Sequence, residues 1–221
     1  MNLKIFLICL VFLSPFLIGD DSGKLSITRI QYRGGGDWYS DQSSIPNLLN
    51  FINENTDIPI DLIEKKSKIG DDIFIESQHL YLTGHGNIKF SDQESIILRN
   101  HLLSGAFLHA DDNYGMDKSF RREMKKVFPE KEWVEIPFNH TLFNCYYNFP
   151  NGLPKIHKHD NNAPQALGLF ENNRLIVLYT FESDLGDGWE NQTVHNNPQD
   201  LREQALRMGV NIVMYNLVGY E

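Results

Sequence analysis

Two periods of hydrophobic positions run through the chain. Residues 27–32 alternate and carry β-branched side chains, which predicts a first strand, and the strand runs directly into Gly34, Gly35, Gly36, Asp37, Trp38 and Tyr39. Glycine backbones reach conformations closed to other residues, so this stretch reads either as a tight turn or as a place where a ligand or a neighbouring loop comes close. Pro46 suits a first helical turn, and Leu48, Leu49 and Ile52 form the apolar stripe of a crossover helix. Residues 58–63 alternate as a second strand, and the charged residues 65–72 read as surface loop. Residues 79–83 predict a third strand, which ends in Gly84, His85 and Gly86. Ser91 and Glu94 stand at capping-box spacing, so a helix is expected over residues 91–104, with Gly105 ending it.

The stretch that follows organises the rest. Residues 106–110 read as a buried fourth strand, and its apolar run breaks abruptly around His109 into Asp111, Asp112, Asn113 and Tyr114. Asp117 is placed to cap a helix whose Phe120, Met124, Val127 and Phe128 fall at helical spacing; those four read as core. Residues 133–136 predict a short strand, and residues 138–158 lack a clean period, which in a compact domain marks a functional loop or lid. Residues 166–170 and 175–181 flank Glu171, Asn172, Asn173 and Arg174 as a hairpin. A second polar exit follows at Glu182, Ser183, Asp184, Leu185, Gly186, Asp187, Gly188 and Trp189. Asn197 and Pro198 open a last helix with Leu201, Ala205 and Met208 on its buried side; Gly209 is expected to end it and residues 210–217 to close the domain as a strand. Strands alternating with helices predict an α/β fold, a single three-layer domain with a mostly parallel sheet covered on both faces. In such sheets the loops at 34–39, 84–86 and 109–113 gather beyond the carboxyl ends of the strands, where ligands bind.

Composition changes this picture at one end. Residues 1–19 carry one Lys and no acid, and residues 5–18 are apolar apart from Cys9, Ser14 and Pro15. That is the core of a signal peptide, shorter than the roughly 20 residues that span a bilayer as a helix. The expectation is an exported chain, periplasmic or extracellular, with residues 20–221 as the single domain and no membrane span in the mature part. Beyond the leader Cys145 is the only cysteine, so neither an internal disulfide nor a cysteine-rich metal cluster is expected. A net charge of −9 argues against nucleic acid as a partner, since that affinity rests on clustered Lys and Arg. The basic run at 121–126 reads as the wet face of a helix.

His85, His109 and Asp112 are the candidate acid–base residues, because imidazole titrates near neutrality and a buried carboxylate can be raised toward it. Gly35, Gly36, Asp37, Trp38, Tyr39, Gly84, Gly86, Asp111, Asn113, Tyr114, Glu182 and Asp184 are the candidate ligand-binding residues. His157 and His159 add imidazoles to these acids, and a divalent metal is the one cofactor the set suggests, although no H-E-x-x-H or comparable spacing identifies its ligands. The plainer alternative is that these polar groups tether loops to one another. Trp38, Tyr39, Tyr114 and Trp189 beside amides and acids suit a sugar platform, and equally suit aromatic loop packing. No G-x-S-x-G elbow, Walker loop or G-x-G-x-x-G fingerprint is present.

Four ordered stretches, Gly-Gly-Gly-Asp-Trp-Tyr at 34–39, Leu-Thr-Gly-His-Gly at 82–86, Leu-His-Ala-Asp-Asp-Asn-Tyr-Gly-Met-Asp at 108–117 and Glu-Ser-Asp-Leu-Gly-Asp-Gly-Trp-Glu at 182–190, closely resemble the bacterial domain-of-unknown-function family 4159. The resemblance implies a flavodoxin-like, class I glutamine amidotransferase-like fold, nearest the trehalose-utilisation type. In amidotransferases a nucleophilic cysteine follows the strand equivalent to residues 106–110, whereas here His109, Ala110 and Asp111 stand there, so thiol chemistry is expected to be absent. The family's members often form parts of envelope proteins, which implies envelope partners. The function expected is the binding, with hydrolysis as its enzymatic form, of a small polar or carbohydrate-like ligand at the carboxyl edge; the alternative is a non-catalytic envelope interaction module.

Overall fold

The computed structural model describes residues 23–159 and 161–219; the leader expected over residues 1–19, and Asp160, lie outside the described residues. The chain is α/β, with a mixed, mostly parallel seven-stranded sheet and, among the described residues, seven α-helices. In chain order these are β1 (Ile27–Ile30), α1 (Ser44–Asn55), β2 (Lys65–Ser67), α2 (Asp72–Glu76), β3 (His79–Gly84), α3 (Asp92–Leu103), β4 (Phe107–Asp112), α4 (Asp117–Val127), β5 (Val134–Glu135), β6 (Gln165–Glu171), β7 (Arg174–Phe181), α5 (Leu185–Trp189), α6 (Gln192–His195) and α7 (Gln199–Val218). Across the sheet the order is β2-β1-β3-β4-β7-β6-β5. The first five run parallel, with His79 level with Phe107 and His109 level with Leu178; β6 and β5 are antiparallel additions.

Strand side chains alternate between two cores, which is why neither face of the sheet is polar. Ile27, Tyr81 and Leu178 turn toward α1, α5 and α7, whereas Ile30, Leu80, Leu82 and Val177 turn toward α2, α3 and α4. The stripe expected on α1 is the one it buries: Leu48, Leu49 and Ile52 are almost wholly enclosed, and each contributes about 2 kcal/mol by that burial. The capping box on α3 forms as its spacing demands, with Glu94 N donating to Ser91 Oγ at 3.2 Å and Ser91 N donating to Glu94 Oε2 at 2.7 Å. The hairpin of β6 and β7 turns through Asn172 and Asn173, both in the left-handed region that asparagine tolerates.

Several elements differ from the sequence expectation. Residues 58–63 form no strand beyond a single bridge from Ile60 to Leu25, and the second strand is β2, inside the charged stretch read as loop. An edge strand keeps one side free, so Lys65 and Lys66 cost it nothing and mask it in the sequence. The final strand expected at 210–217 is instead the second half of α7. Its β-branched residues are there because the helix is enclosed nearly all round, with Val210, Ile212 and Val213 buried. Gly209 does not end that helix; a Cβ there would sit 2.5 Å from Leu48 Cδ1 and 3.1 Å from Trp189 Cζ2, so glycine is what lets α7 press on α1 and α5. Asp117 is the first residue of α4, and not its cap. The polar exit at 182–189 folds largely into the buried α5. Among the described residues no helix is long and apolar enough to cross a membrane.

Candidate functional site at the carboxyl edge of the sheet

The β1 and β3 loops meet at the carboxyl edge, as the parallel order requires. They close on each other. Gly36 N donates to Asn87 O at 3.0 Å, Asp37 N to His85 O at 3.3 Å and Asn87 Nδ2 to Gly34 O at 2.9 Å. The Asp37 carboxylate accepts the His85 backbone N–H and stands 3.0 Å from His85 Nδ1. A Cβ at Gly36 would fall 2.6 Å from His85 O, and one at Gly84, where φ is +131°, would fall 2.9 Å from Asp37 O. Gly84 and Gly36 therefore serve the approach of the two loops to each other. Gly86 faces the same seam, with Gly36 Cα 3.8 Å from where its Cβ would be, and Gly35 looks onto open space. Trp38 packs against the second core, so of the two aromatics only Tyr39 is left largely exposed.

At the end of β4 the acids are mostly spoken for. Asp111 is fully buried; its Oδ2 accepts Gly186 N at 2.7 Å, its Oδ1 accepts Leu185 N at 3.3 Å, and Thr180 Oγ1 donates to the same oxygen. Burial lifts its carboxyl to about 7 against those hydrogen bonds. Its place is to hold α5 against β4 and β7. Asp112 accepts Met116 N at 3.2 Å, so it fixes the turn into α4; burial raises it to about 6. Asn113 Nδ2 donates to Asp41 Oδ2 at 2.7 Å, and the half-exposed Tyr114 stacks on His159 with centroids 4.4 Å apart. His109 does not reach the edge at all. It lies between Tyr81 and Trp189 with Nε2 3.0 Å from Thr180 Oγ1, and burial holds it well below 6.5, a neutral core imidazole. The base role expected of it fails on access, because even residues on a strand ending in a site alternate between the two cores.

Beyond β7, Glu182 and Asp184 both adopt positive φ, at 60° and 57°. Asp41, Tyr114 and Asn196 share that conformation, so five of the seven non-glycine residues that do so among the described residues stand at this edge. Such strain persists only where the surroundings enforce it, and it gathers at functional sites. Glu182 Oε2 is paired with Lys155 Nζ at 3.0 Å. Residues 138–158 do not hang free over it: Ile156 N donates to Ser183 O at 2.9 Å, Ser183 Oγ donates to Pro154 O at 2.6 Å, and the Asn211 amide in α7 clasps Leu142 and Tyr147. In that loop Cys145 is half-buried with its thiol pushed up to about 11 by burial.

The residues that sequence reasoning missed lie here. Asp187 on α5, Glu190 after it, His195 at the end of α6 and Asp41 after β1 converge with His157 and Asp184. His157 Nδ1 is 2.6 Å from Asp187 Oδ2, His195 Nε2 is 3.4 Å from Asp187 Oδ1, and His159 Nε2 is 3.0 Å from Asp184 Oδ2. Burial first, and then the charge of Asp187, raises Asp41 to about 8; burial and the charges of Asp111 and Asp187 do the same to Asp184. Arg29, a buried cation on β1, positions Asp41 by donating to the backbone oxygens of Ser40 and Asp41 while it pairs with Glu64. Asp184 and Asp187 had a signal in the sequence, the acidic exit after a predicted strand. Asp41 and His195 had none, since each sits in an ordinary polar stretch.

This arrangement defines an α/β protein whose polar groups and backbone strain gather beyond the carboxyl ends of a mostly parallel sheet. No curated protein matches the chain. The family model of the domain of unknown function DUF4159 matches residues 26–217, and the chain belongs to that family.

Proposed function

We propose that the chain is an exported, periplasmic or extracellular domain that binds a small polar, carbohydrate-like ligand beside its carboxyl edge. Export rests on the leader-like residues 1–19. Binding rests on one observation, an open cleft of about 800 Å³ in which the largely exposed Tyr39 ring stands among Gln42, Asn47, Asp41, Glu190 and Asn191. A hydroxyl-rich ligand needs that mixture: an aromatic face for its C–H surface, with amides and acids for its hydroxyls. The cleft opens beside the loop that follows β1, one of the two strands that flank the switch point at which open α/β sheets take ligands. The order β2-β1-β3-β4-β7 supports the finer reading of a flavodoxin-like fold of the class I glutamine amidotransferase kind. A hydrolytic base at His109 does not fit, because the ring is enclosed in the core.

The test is a panel of soluble mono- and oligosaccharides read by thermal shift and calorimetry, with Tyr39→Ala in parallel. Binding that the substitution weakens at least about tenfold, with an unchanged melting temperature, is the expected result. No saccharide binding by the native chain would discard this reading and leave the docking of another envelope protein in its place.

A further inference from the structure

We propose that His157, Asp187 and His195 form a binding site for a zinc-type divalent cation. Their ligand atoms lie within 4.8 Å of one another. Two imidazoles and a carboxylate are a donor set that suits first-row ions such as Zn²⁺ and disfavours Mg²⁺ and Ca²⁺, which prefer all-oxygen shells.

The second observation is independent of that proximity. Asp187 Oδ1 and His195 Nε2 are both buried, and neither has a hydrogen-bond partner among the described residues. They face each other at 3.4 Å without hydrogen-bond geometry. Buried polar atoms are almost always satisfied, so two that converge unsatisfied point to something between them. Their separation is about the edge of a tetrahedron with metal–ligand bonds of about 2.1 Å. Asp187 itself is more than nine-tenths buried, too enclosed for water to complete its shell freely.

The orientation of His157 points the same way. Its Nε2 lies 3.1 Å from Asn197 Oδ1, and the Asn197 amide is oriented by Nδ2, which donates to Asp187 O at 3.4 Å. Asn197 Oδ1 therefore accepts a hydrogen bond from Nε2–H, and in a neutral His157 the lone pair sits on Nδ1, toward Asp187. A second-shell carbonyl of this kind is the usual partner of a metal-bound histidine. That 2.6 Å contact with Asp187 Oδ2 is met in one of two ways, by a protonated His157 that donates Nδ1–H or by a cation that takes both atoms as ligands. Further negative charge surrounds the site, since Glu190 Oε2 is 4.0 Å from His195 Nε2. His159 and Asp184 make a separate pair, held by the stacking of His159 on Tyr114, and are not needed as ligands.

The site stands whether or not the neighbouring cleft takes a carbohydrate, and its test uses no such ligand. Chelator-stripped, tag-free full chain is titrated with ZnCl₂ by calorimetry, and ¹H–¹⁵N spectra of the histidine rings are recorded alongside. One equivalent should bind, should resist a large excess of Mg²⁺ or Ca²⁺, and should shift the ring signals of His157 and His195. Asp187→Asn and His195→Gln, which keep the side-chain shapes, should each weaken binding at least about tenfold. Substoichiometric uptake by the native chain, ring shifts at other histidines instead, or variants that fold and bind as the native chain does would each overturn the site. Should a variant fail to fold, the ring spectra of the native chain decide alone.

Discussion

The two halves of the carboxyl edge are built from similar residues and behave oppositely. Where the β1 and β3 loops meet, Gly34, Gly36, Asp37, His85 and Asn87 satisfy one another through hydrogen bonds between backbone groups, through the Asn87 amide and through the Asp37–His85 pair. Where α5 and α6 meet residues 155–159, Asp187 and His195 keep buried polar atoms without partners, and Asp184 and Asp41 carry carboxyls pushed far above their usual range. Glycines, histidines and acids occur in both halves, so residue type does not separate them. What separates them is whether the groups are already paired: the first half is a seam between loops, and the second retains unspent donors and charge.

The comparison extends to the histidines of the interior. Burial lowers His79 to about 3 and holds His109 well below 6.5, so both are neutral in the folded chain. The unfolded chain takes up each proton near pH 6.5, whereas the folded chain resists until far lower pH. The contribution of His79 is therefore complete above pH 6.5 and is lost as pH falls toward 3, and His109 acts in the same direction. For His79 alone the full loss is on the order of 5 kcal/mol. Urea titrations between pH 7 and pH 4 should show it, and His79→Gln should flatten that slope. An unchanged slope in the variant would mean that the ring is hydrated.

Next in size is Asp111, which belongs structurally to the paired half although it lies in the acidic one. Asp111→Ala strands the amides of Leu185 and Gly186 and should cost about 3 kcal/mol in chemical denaturation. A loss below about 1 kcal/mol would show that α5 holds itself in place without that carboxylate.

The seam is tested by two glycines of unlike surroundings. Gly84→Ala would drive a Cβ into Asp37 O and should cost about 2 kcal/mol or more, whereas Gly35→Ala, at φ +93° but facing open space, should cost only about 1 kcal/mol. Equal costs would mean that strain, and not loop contact, sets the requirement for glycine. Smallest is Tyr39→Ala, an exposed ring with no core to lose: its unfolding free energy should stay within about 0.5 kcal/mol of the native chain while saccharide binding falls. A large stability change there would remove Tyr39 from the cleft and place it among the packing residues.

Much of the architecture could be read from the chain alone. The alternation at 27–32, the capping box at Ser91 and Glu94, the stripe of Leu48, Leu49 and Ile52 and the Asn172–Asn173 turn are local rules, and local rules act wherever the chain goes. Convergence of the loops beyond strands β1, β3 and β4 followed from parallel order. The misreadings share one cause. β2 hides its strand in lysines because it is an edge, and α7 hides its helix in β-branched residues because it is enclosed; in both, tertiary position overrode the pattern.

The sequence by itself determined the class of fold, the edge at which polar groups gather, and which residue types were there to gather. Tertiary structure alone decided which of them are paired. His109 and Asp111 stand two residues apart, yet one turns into the core as a neutral ring and the other holds α5 against the sheet, while Asp41, Asp187 and His195 come together from stretches up to about 150 residues apart. Strand alternation sets which way a side chain points, but whether it finds a partner depends on what the rest of the chain brings to meet it.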